Sequence, residues 1–189
     1  LWNVLRRRFT PKEVQEVRKA YRDAWITDAD FARIAALGLN HVRLPIFHTI
    51  VAEPGGMETL RKAVRQANAH GLYVVLDMHG MPGSQSWDHH TGREGLNKYF
   101  SDPAHGAAGI KVWKVLAKEF GANPGVAAFD LMNEPMGAPN AATLHVIHDR
   151  LIKAIREAAP QTMLIVEDGY KGFDSTPHAD VLGWTNVIY

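Results

Sequence analysis

The chain has 189 residues, of which 46% are hydrophobic and 22% charged, so it has enough apolar material for one substantial core and no compositional sign of disorder. Its 21 basic and 20 acidic side chains are interspersed and give a formal net charge of +1, which argues against nucleic acid or an anionic membrane as a partner. Cysteine is absent, which excludes disulfides, thiolate metal ligands and a cysteine nucleophile.

The first residues do not have the order of a signal peptide, in which charge precedes an apolar stretch and a cleavage site. No apolar run reaches the ~20 residues that span a bilayer. Because the sequence begins at Leu1 rather than at Met, we expect the natural N-terminus to lie upstream.

Short apolar runs alternate along the chain with longer segments of helical period. Most of the apolar runs are nearly continuous, which is typical of parallel strands covered on both faces. The predicted strands are 40–46, 72–79, 126–133, 163–166 and 186–189. The predicted helices are 27–37, 56–69, 104–120 and 141–158, with stop signals at Gly38, Gly71, Gly121 and Pro160.

This alternation predicts an α/β protein with either an open doubly wound sheet or a closed barrel. The sequence has neither a GxGxxG nor a GxxxxGK[ST] phosphate loop. Polar residues instead follow several strands, as in (β/α)8 TIM barrels, whose complete form takes about 250 residues. We therefore predict a single domain over 1–189 that is an incomplete (β/α)8 TIM-type barrel, with about five of the eight βα units.

The sharpest local signal is the run VAAFDLMNEP, in which an apolar strand leads into Asn133, Glu134 and Pro135. Proline cannot extend a central strand, so the strand is expected to end at Glu134. A carboxylic acid shielded there by Trp and Met side chains could hold a proton near neutral pH and donate it to a glycosidic oxygen. The alternative is a solvated loop glutamate. Since neighbouring side chains alternate on a strand, Asn133 and Glu134 can both face a site only if the backbone bulges or turns there.

Charged residues in two other strands are further candidates. Arg43 lies in an apolar strand and needs anionic partners, because an unpaired buried charge is costly. A purely structural ion pair with Asp77 or Asp130 is the alternative to a role in the site. His79 follows Asp77 by two positions, so both side chains are expected to point the same way. Asp77 itself is predicted to be structural.

Four stretches together resemble glycoside hydrolase family 5, the cellulase-like (β/α)8 retaining β-glycosidases. They are GLNHVRLP at 38–45, VLDMHG at 75–80, NEP at 133–135 and, more loosely, EDGY at 167–170. The loop HGMPGSQ at 79–85 is similar to that of the exo-β-1,3-glucanase and related β-glucanase branches. The resemblance implies polysaccharide degradation without a cofactor, a β-linked oligo- or polysaccharide as substrate, and a secreted or periplasmic location.

The resemblance also implies roles for individual residues. Glu134 would be the general acid/base, and Asn133 would bind the sugar 2-hydroxyl. Arg43 would lie beside the catalytic carboxylates, and His79 would contact the sugar. Trp87 and Tyr170 fall in loops after predicted strands, where aromatic rings could stack on a pyranose or simply pack under the loop.

Other chemistries are weakly supported. The pair His89 and His90 is predicted to lie in a flexible loop, and His145 with His148 lacks both an HExxH pattern and an accompanying carboxylate triad, so no metal site is predicted. A metal-dependent amidohydrolase-like barrel would need a stoichiometric ion. A serine triad is disfavoured because GxSxG is missing.

Retaining hydrolysis needs a second carboxylate, about 5–5.5 Å from the first. The resemblance places this nucleophile on a seventh strand, whereas the last strand here resembles the sixth. Glu167 is the other candidate, although the adjacent Asp168 and Gly169 suggest a loop with sugar-binding roles. We therefore expect a chain truncated at both ends that does not hydrolyse β-glucan alone. The alternatives are a β-mannanase and a catalytically silent carbohydrate-binding barrel.

Overall fold

The structure is a computed structural model that describes residues 2–169 and 182–189. The helices are α1 (Trp2–Arg8), α2 (Pro11–Trp25), α3 (Asp28–Ala36), α4 (Gly56–Ala69), α5 (Pro103–Phe120) and α6 (Ala141–Arg156). The strands are β1 (His41–Phe47), β2 (Tyr73–Gly80), β3 (Val126–Asp130), β4 (Met163–Ile165) and β5 (Val187–Ile188). Short 3-10 turns follow β1 at His48–Val51 and β2 at His89–Thr91.

The five strands form one parallel sheet in the order β1-β2-β3-β4-β5. Parallel strands in sequence order, with helices α4, α5 and α6 between the first four, make this an α/β fold of the (β/α)8 barrel type, seen here as an open, incomplete barrel, as the sequence predicts. The register aligns Pro45 with Asp77 and Asp77 with Asp130. The carboxyl ends of β1, β2 and β3 therefore lie side by side.

The core is centred on β2 and β3. Val74, Leu76 and Met78 of β2 are fully buried, as is Trp113 of α5. Burial of each such side chain contributes about 1.5–3 kcal/mol relative to exposure. The Trp113 indole also donates a hydrogen bond of 3.1 Å to the carbonyl of Leu131, just beyond β3. Packing on the helix side thus fixes the segment that leads from β3 to Glu134.

Helix α4 has the predicted bounds, and it is followed by Gly71 at φ +74°, a left-handed conformation that glycine adopts without a Cβ penalty. Strand β3 ends at Asp130, three residues before the predicted end, so Asn133 lies in the following loop. Helices α1 and α2 are absent from the sequence-based prediction, although Thr10 and Glu13 form a complete capping box at the start of α2. No helix in the described ranges is both long and apolar enough to cross a membrane.

Candidate active site

Arg43 of β1 lies at the centre of a cluster of carboxylates at the ends of the parallel strands. Its Nη1 is 2.9 Å from Asp77 Oδ2, and its Nε and Nη2 donate to Asp130 Oδ2 at 3.0 and 2.7 Å. Its Nη2 also lies 2.7 Å from Glu167 Oε1 and 2.9 Å from Asn133 Oδ1. Both proposed structural partners of Arg43 are therefore present, and the same guanidinium also contacts the segment that carries Glu134.

The cluster has three carboxylates for one guanidinium. Asp77 is completely buried and Asp130 is 2% exposed, and burial raises the pKa of both carboxyls against the lowering effect of Arg43. Burial foremost, followed by the charge of Asp130, raises the pKa of Glu167 to about 7. Because the carboxyls repel one another and Arg43 supplies only one positive charge, the cluster favours a protonated Glu167 at mildly acidic pH.

Asn133 and Glu134 both face the strand ends, as a functional role for the pair requires. Asn133 is 3% exposed and accepts from Arg43, while its Nδ2 lies 3.1 Å from His90 Nδ1. Glu134 has φ +42°, and this left-handed turn brings its side chain to the same side as that of Asn133. Its backbone N–H donates to Glu167 Oε2 at 2.7 Å. The alternation of side chains along a strand therefore does not apply to Asn133 and Glu134, because both lie in the turn that follows β3.

The shielding expected for the Glu134 carboxyl is not seen. We expected Trp and Met side chains to shield its carboxyl, but the side chain is 57% exposed. The reason is that β3 ends early, and the left-handed turn places the Glu134 side chain outside the core, at the carboxyl ends of the strands. Its carboxylate Oε2 is instead 3.7 Å from His90 Nε2.

His79 has the predicted relation to Asp77, with its Nδ1 2.7 Å from Asp77 Oδ2. This bond fixes the orientation of an imidazole that is 24% exposed at the end of β2. The His79 ring also meets that of His90 edge to face, with centroids 5.6 Å apart. His79, Asn133 and Glu134 are therefore brought together by neighbouring strands.

Two residues next to these were not singled out by sequence reasoning. His90, expected in a flexible loop, lies in a 3-10 turn with its side chain only 14% exposed. Gln85 is completely buried; its Oε1 accepts from the Met81 backbone, and its Nε2 donates to the carbonyls of His79 and Asn133 at 3.0 and 2.7 Å. These bonds join the loop after β2 to the segment after β3. Gln85 belongs to the HGMPGSQ stretch noted in the sequence, but the roles of both residues depend on contacts between loops, which the sequence alone does not show.

Trp87 is 40% exposed and borders a cleft of about 550 Å³, whose lining includes Pro135, the residue after Glu134. The cleft is lined chiefly by apolar residues of the loop after β3, together with Asp168 and Gly169. Tyr170, the other predicted stacking residue, lies outside the described residues. Among residues 2–169 and 182–189, no three His, Cys, Asp or Glu side chains converge as metal ligands could.

The parallel strands and the Asn-Glu pair at their carboxyl ends are the features of a (β/α)-barrel glycosidase, and the chain belongs to glycoside hydrolase family 5. The family described as Cellulase (glycosyl hydrolase family 5) matches residues 8–189. This confirms the resemblance drawn from the sequence motifs.

The curated proteins that resemble this chain are named for different enzymatic activities. The probable glucan 1,3-beta-glucosidase A of Aspergillus terreus is 32% identical over 158 residues, which are 78% of this chain and 38% of that protein. A beta-xylosidase of Phanerodontia chrysosporium is 29% identical over 179 residues, 89% of this chain and 37% of that protein. The chain thus spans about two fifths of the length of these curated relatives.

A solved structure shares the fold. Endo-glycoceramidase II from Rhodococcus sp., in complex with a cellobiose-like isofagomine, superposes with a TM-score of 0.62 at 23% identity. The match covers 78% of this chain and 46% of that one. At this identity it supports the barrel architecture alone.

Proposed function

We propose that the chain forms part of a single catalytic barrel domain that hydrolyses β-glucan-type O-glycosidic bonds with retention, and that Glu134 is its general acid/base. The observation that carries the proposal is the placement of Glu134. Its carboxylate is exposed at the carboxyl ends of the parallel strands, where a left-handed turn holds it beside Asn133. A proton donor must reach the glycosidic oxygen, and this position lets it do so.

The neighbouring residues suit a sugar-binding site around that acid. Asn133 is held by Arg43 and could bond the sugar 2-hydroxyl, while His79 is oriented by Asp77 for a second hydroxyl. Trp87 borders the apolar cleft and offers a ring for the apolar face of a pyranose. We propose the same stacking role for Tyr170.

Glu167 is poorly suited to act as the nucleophile. Its two oxygens accept hydrogen bonds of 2.7 Å from Arg43 and from the Glu134 backbone, and its raised pKa favours the protonated form in which it cannot attack. We therefore assign Glu167 to positioning Glu134. The attacking carboxylate would come from outside these 189 residues.

The substrate assignment rests on the names of the 1,3-β-glucosidase relatives and is tested with defined oligosaccharides. β-1,3-, β-1,4- and mannose-based oligosaccharides would be incubated with the 189-residue chain and with the longest product of the same gene. We expect turnover of β-1,3-glucans only by the longer form. Loss of at least about 10²-fold in kcat on Glu134→Gln is expected for a general acid/base, with Glu16→Gln on exposed α2 as the control.

Three outcomes would contradict parts of the proposal. Wild-type activity in Glu134→Gln would remove Glu134 as the acid/base. Release of product with inverted anomeric configuration, seen by NMR, would exclude retention. Turnover by the 189-residue chain that Glu134→Gln abolishes would show that a nucleophile lies within it.

The apolar cleft bordered by Trp87 and Pro135 favours a second candidate, a barrel that binds carbohydrate without cleaving it. Titration calorimetry of the 189-residue chain with β-1,3-oligosaccharides separates the two, since binding with no turnover by any form of the gene product would support the silent barrel. Secretion or a periplasmic location belongs to the proposal as well, and fractionation of the producing cells tests it.

A further inference from the structure

His90 occupies a position from which it contacts both members of the Asn-Glu pair. It lies in the 3-10 turn after β2, and its side chain is 14% exposed. Its Nδ1 is 3.1 Å from Asn133 Nδ2, and its Nε2 is 3.7 Å from Glu134 Oε2. The neighbouring His89 is exposed on the same turn, which provides an internal comparison.

The hydrogen bonds around Asn133 have one possible direction. The Arg43 guanidinium can only donate, so the Asn133 atom that faces it at 2.9 Å is the accepting Oδ1. The amide nitrogen of Asn133 therefore faces His90 and donates to it. Because His90 Nδ1 must accept this bond, the neutral ring carries its proton on Nε2.

That proton has no hydrogen-bond acceptor among the described residues. The Nε2 atom is buried without a partner, and the Glu134 carboxylate is the acidic group that it faces. The separation of 3.7 Å is longer than a hydrogen bond, and a small rotation of the exposed Glu134 side chain would close it to about 2.7–2.9 Å. Hydrogen bonds to catalytic groups are often long before a substrate is bound.

We propose that His90 is a positioning residue for Glu134, the last donor in a directional series from Arg43 through Asn133 and His90 to the Glu134 carboxylate. The inference rests on the proposed acid/base role of Glu134. When Glu134 gives its proton to the glycosidic oxygen, it becomes an anion. The His90 Nε2–H then donates to that anion and keeps its own proton, so the carboxylate is stabilised and oriented to take a proton from the attacking water.

Few other groups face this pair in the described structure. The His79 ring packs edge to face on His90, and Glu167 accepts from the backbone N–H of Glu134. Arg43 contacts both Asn133 and Glu167. Removal of the His90 donor leaves these contacts in place, so its effect can be separated from theirs.

The first test is a long-range ¹H–¹⁵N NMR correlation, which reports which imidazole nitrogen carries the proton, on the 189-residue chain at neutral pH. We expect the Nε2–H form for His90. We expect Asn133→Asp, which replaces the donor by an acceptor, to move the proton to Nδ1; His89→Phe assigns the signals. If Asn133→Asp does not fold, Asn133→Ala is expected to give a tautomer mixture like that of exposed His89. An Nδ1–H form in the wild type, or no change in a folded Asn133 variant, would overturn the inference.

The second test uses the longest product of the same gene. His90→Phe is expected to lower kcat by about tenfold or more with KM nearly unchanged, and to move the alkaline limb of the pH profile upward, because the Glu134 anion loses a donor. His90→Gln restores an N–H near the Nε2 position and should recover part of both effects, whereas His89→Phe should alter neither. Unchanged kcat, or a loss of kcat with no movement of the pH profile, would contradict the positioning role. Absence of turnover in the wild type would refute the proposed function, while the NMR result would still decide the direction of the hydrogen bonds.

Discussion

Glu134 adopts a left-handed backbone conformation, which is energetically unfavourable for residues other than glycine. Its φ of +42° brings Cβ close to the following carbonyl, at a cost of roughly 1–2 kcal/mol. The N–H bond to Glu167 and the buried Asn133 before it hold the turn in place. Such strain is typically found where a functional side chain must be aimed.

Glycine at this position should therefore stabilise the fold relative to alanine. We expect Glu134→Gly to exceed Glu134→Ala by about 1 kcal/mol in the free energy of unfolding in urea, because only alanine retains the Cβ penalty. Glu157, which directly follows α6 and has φ −59°, is the matched control. There the alanine variant should be the more stable of the two. An alanine variant that is the more stable of the two at both positions would show that the turn at Glu134 is not strained.

Glu167 should make stability fall as the pH rises. Its ordinary pKa of 4.5 is raised to about 7 in the folded chain, so between these values the folded state holds a proton that the unfolded state has lost. The fall is at most about 3 kcal/mol. Relative to the wild type, Glu167→Gln should lose this falling contribution to the urea-unfolding free energy between pH 5 and 7.5, with Glu16→Gln as the control. An unchanged slope would show that Glu167 does not carry the proton.

At the scale of the element, α6 contains a buried imidazole that responds to pH in the opposite sense. His148 is 2% exposed, with its ring 6.4 Å from that of Trp184. Burial, and then the nearby His145, lowers the pKa of His148 from 6.5 to about 3. The neutral ring is thus part of the packing that joins α6 to the residues near β5.

Acid should loosen this packing. Because the folded pKa is depressed, the contribution of His148 is complete above pH 6.5 and is lost as the pH falls, by up to about 1.4 kcal/mol for each pH unit. His148→Leu should remove this slope between pH 6.5 and 4.5, where the opposing effect of Glu167 partly masks it in the wild type. His145→Leu, on half-buried His145, should remove much less. Equal slopes in both variants would argue against burial as the cause.

The elements differ in how far the sequence determines them. Helix α4 and the strands follow from local apolar period and from stop residues such as Gly71. The site was predictable as a set of strand-end residues, since parallel strands end at one edge. The pairing of Arg43 with Asp77 or Asp130 was also anticipated, but its bonds to Asn133 and Glu167 were not, because they depend on how the loops fold. The ordering of His90 was missed because it depends on Asn133, 43 residues away. The shielding of Glu134 was mispredicted because a single left-handed residue exposes it.

On the scale of the whole molecule, ion pairs stabilise the parallel sheet in addition to its apolar core. Arg43 of β1 reaches Asp77 of β2, Asp130 of β3 and Glu167 just after β4. One side chain therefore joins four successive βα units at the edge where the candidate site lies. With all three carboxyls ionised, the cluster would carry two negative charges in excess of Arg43, so the single cation limits the repulsion.

Removal of that cation should weaken the fold in a pH-dependent way. We expect Arg43→Leu to lose about 3–5 kcal/mol of unfolding free energy near pH 8, because the buried carboxylates are then left without a counter-charge. Near pH 4.5 the loss should be smaller, since raised pKa values let the carboxyls hold protons. The control is Arg61→Leu, which breaks a more exposed pair with Glu119 and should cost no more than about 1 kcal/mol. If both leucine variants lost the same small amount at both pH values, apolar packing would have replaced the cation, and the cluster would serve the site rather than the stability of the sheet.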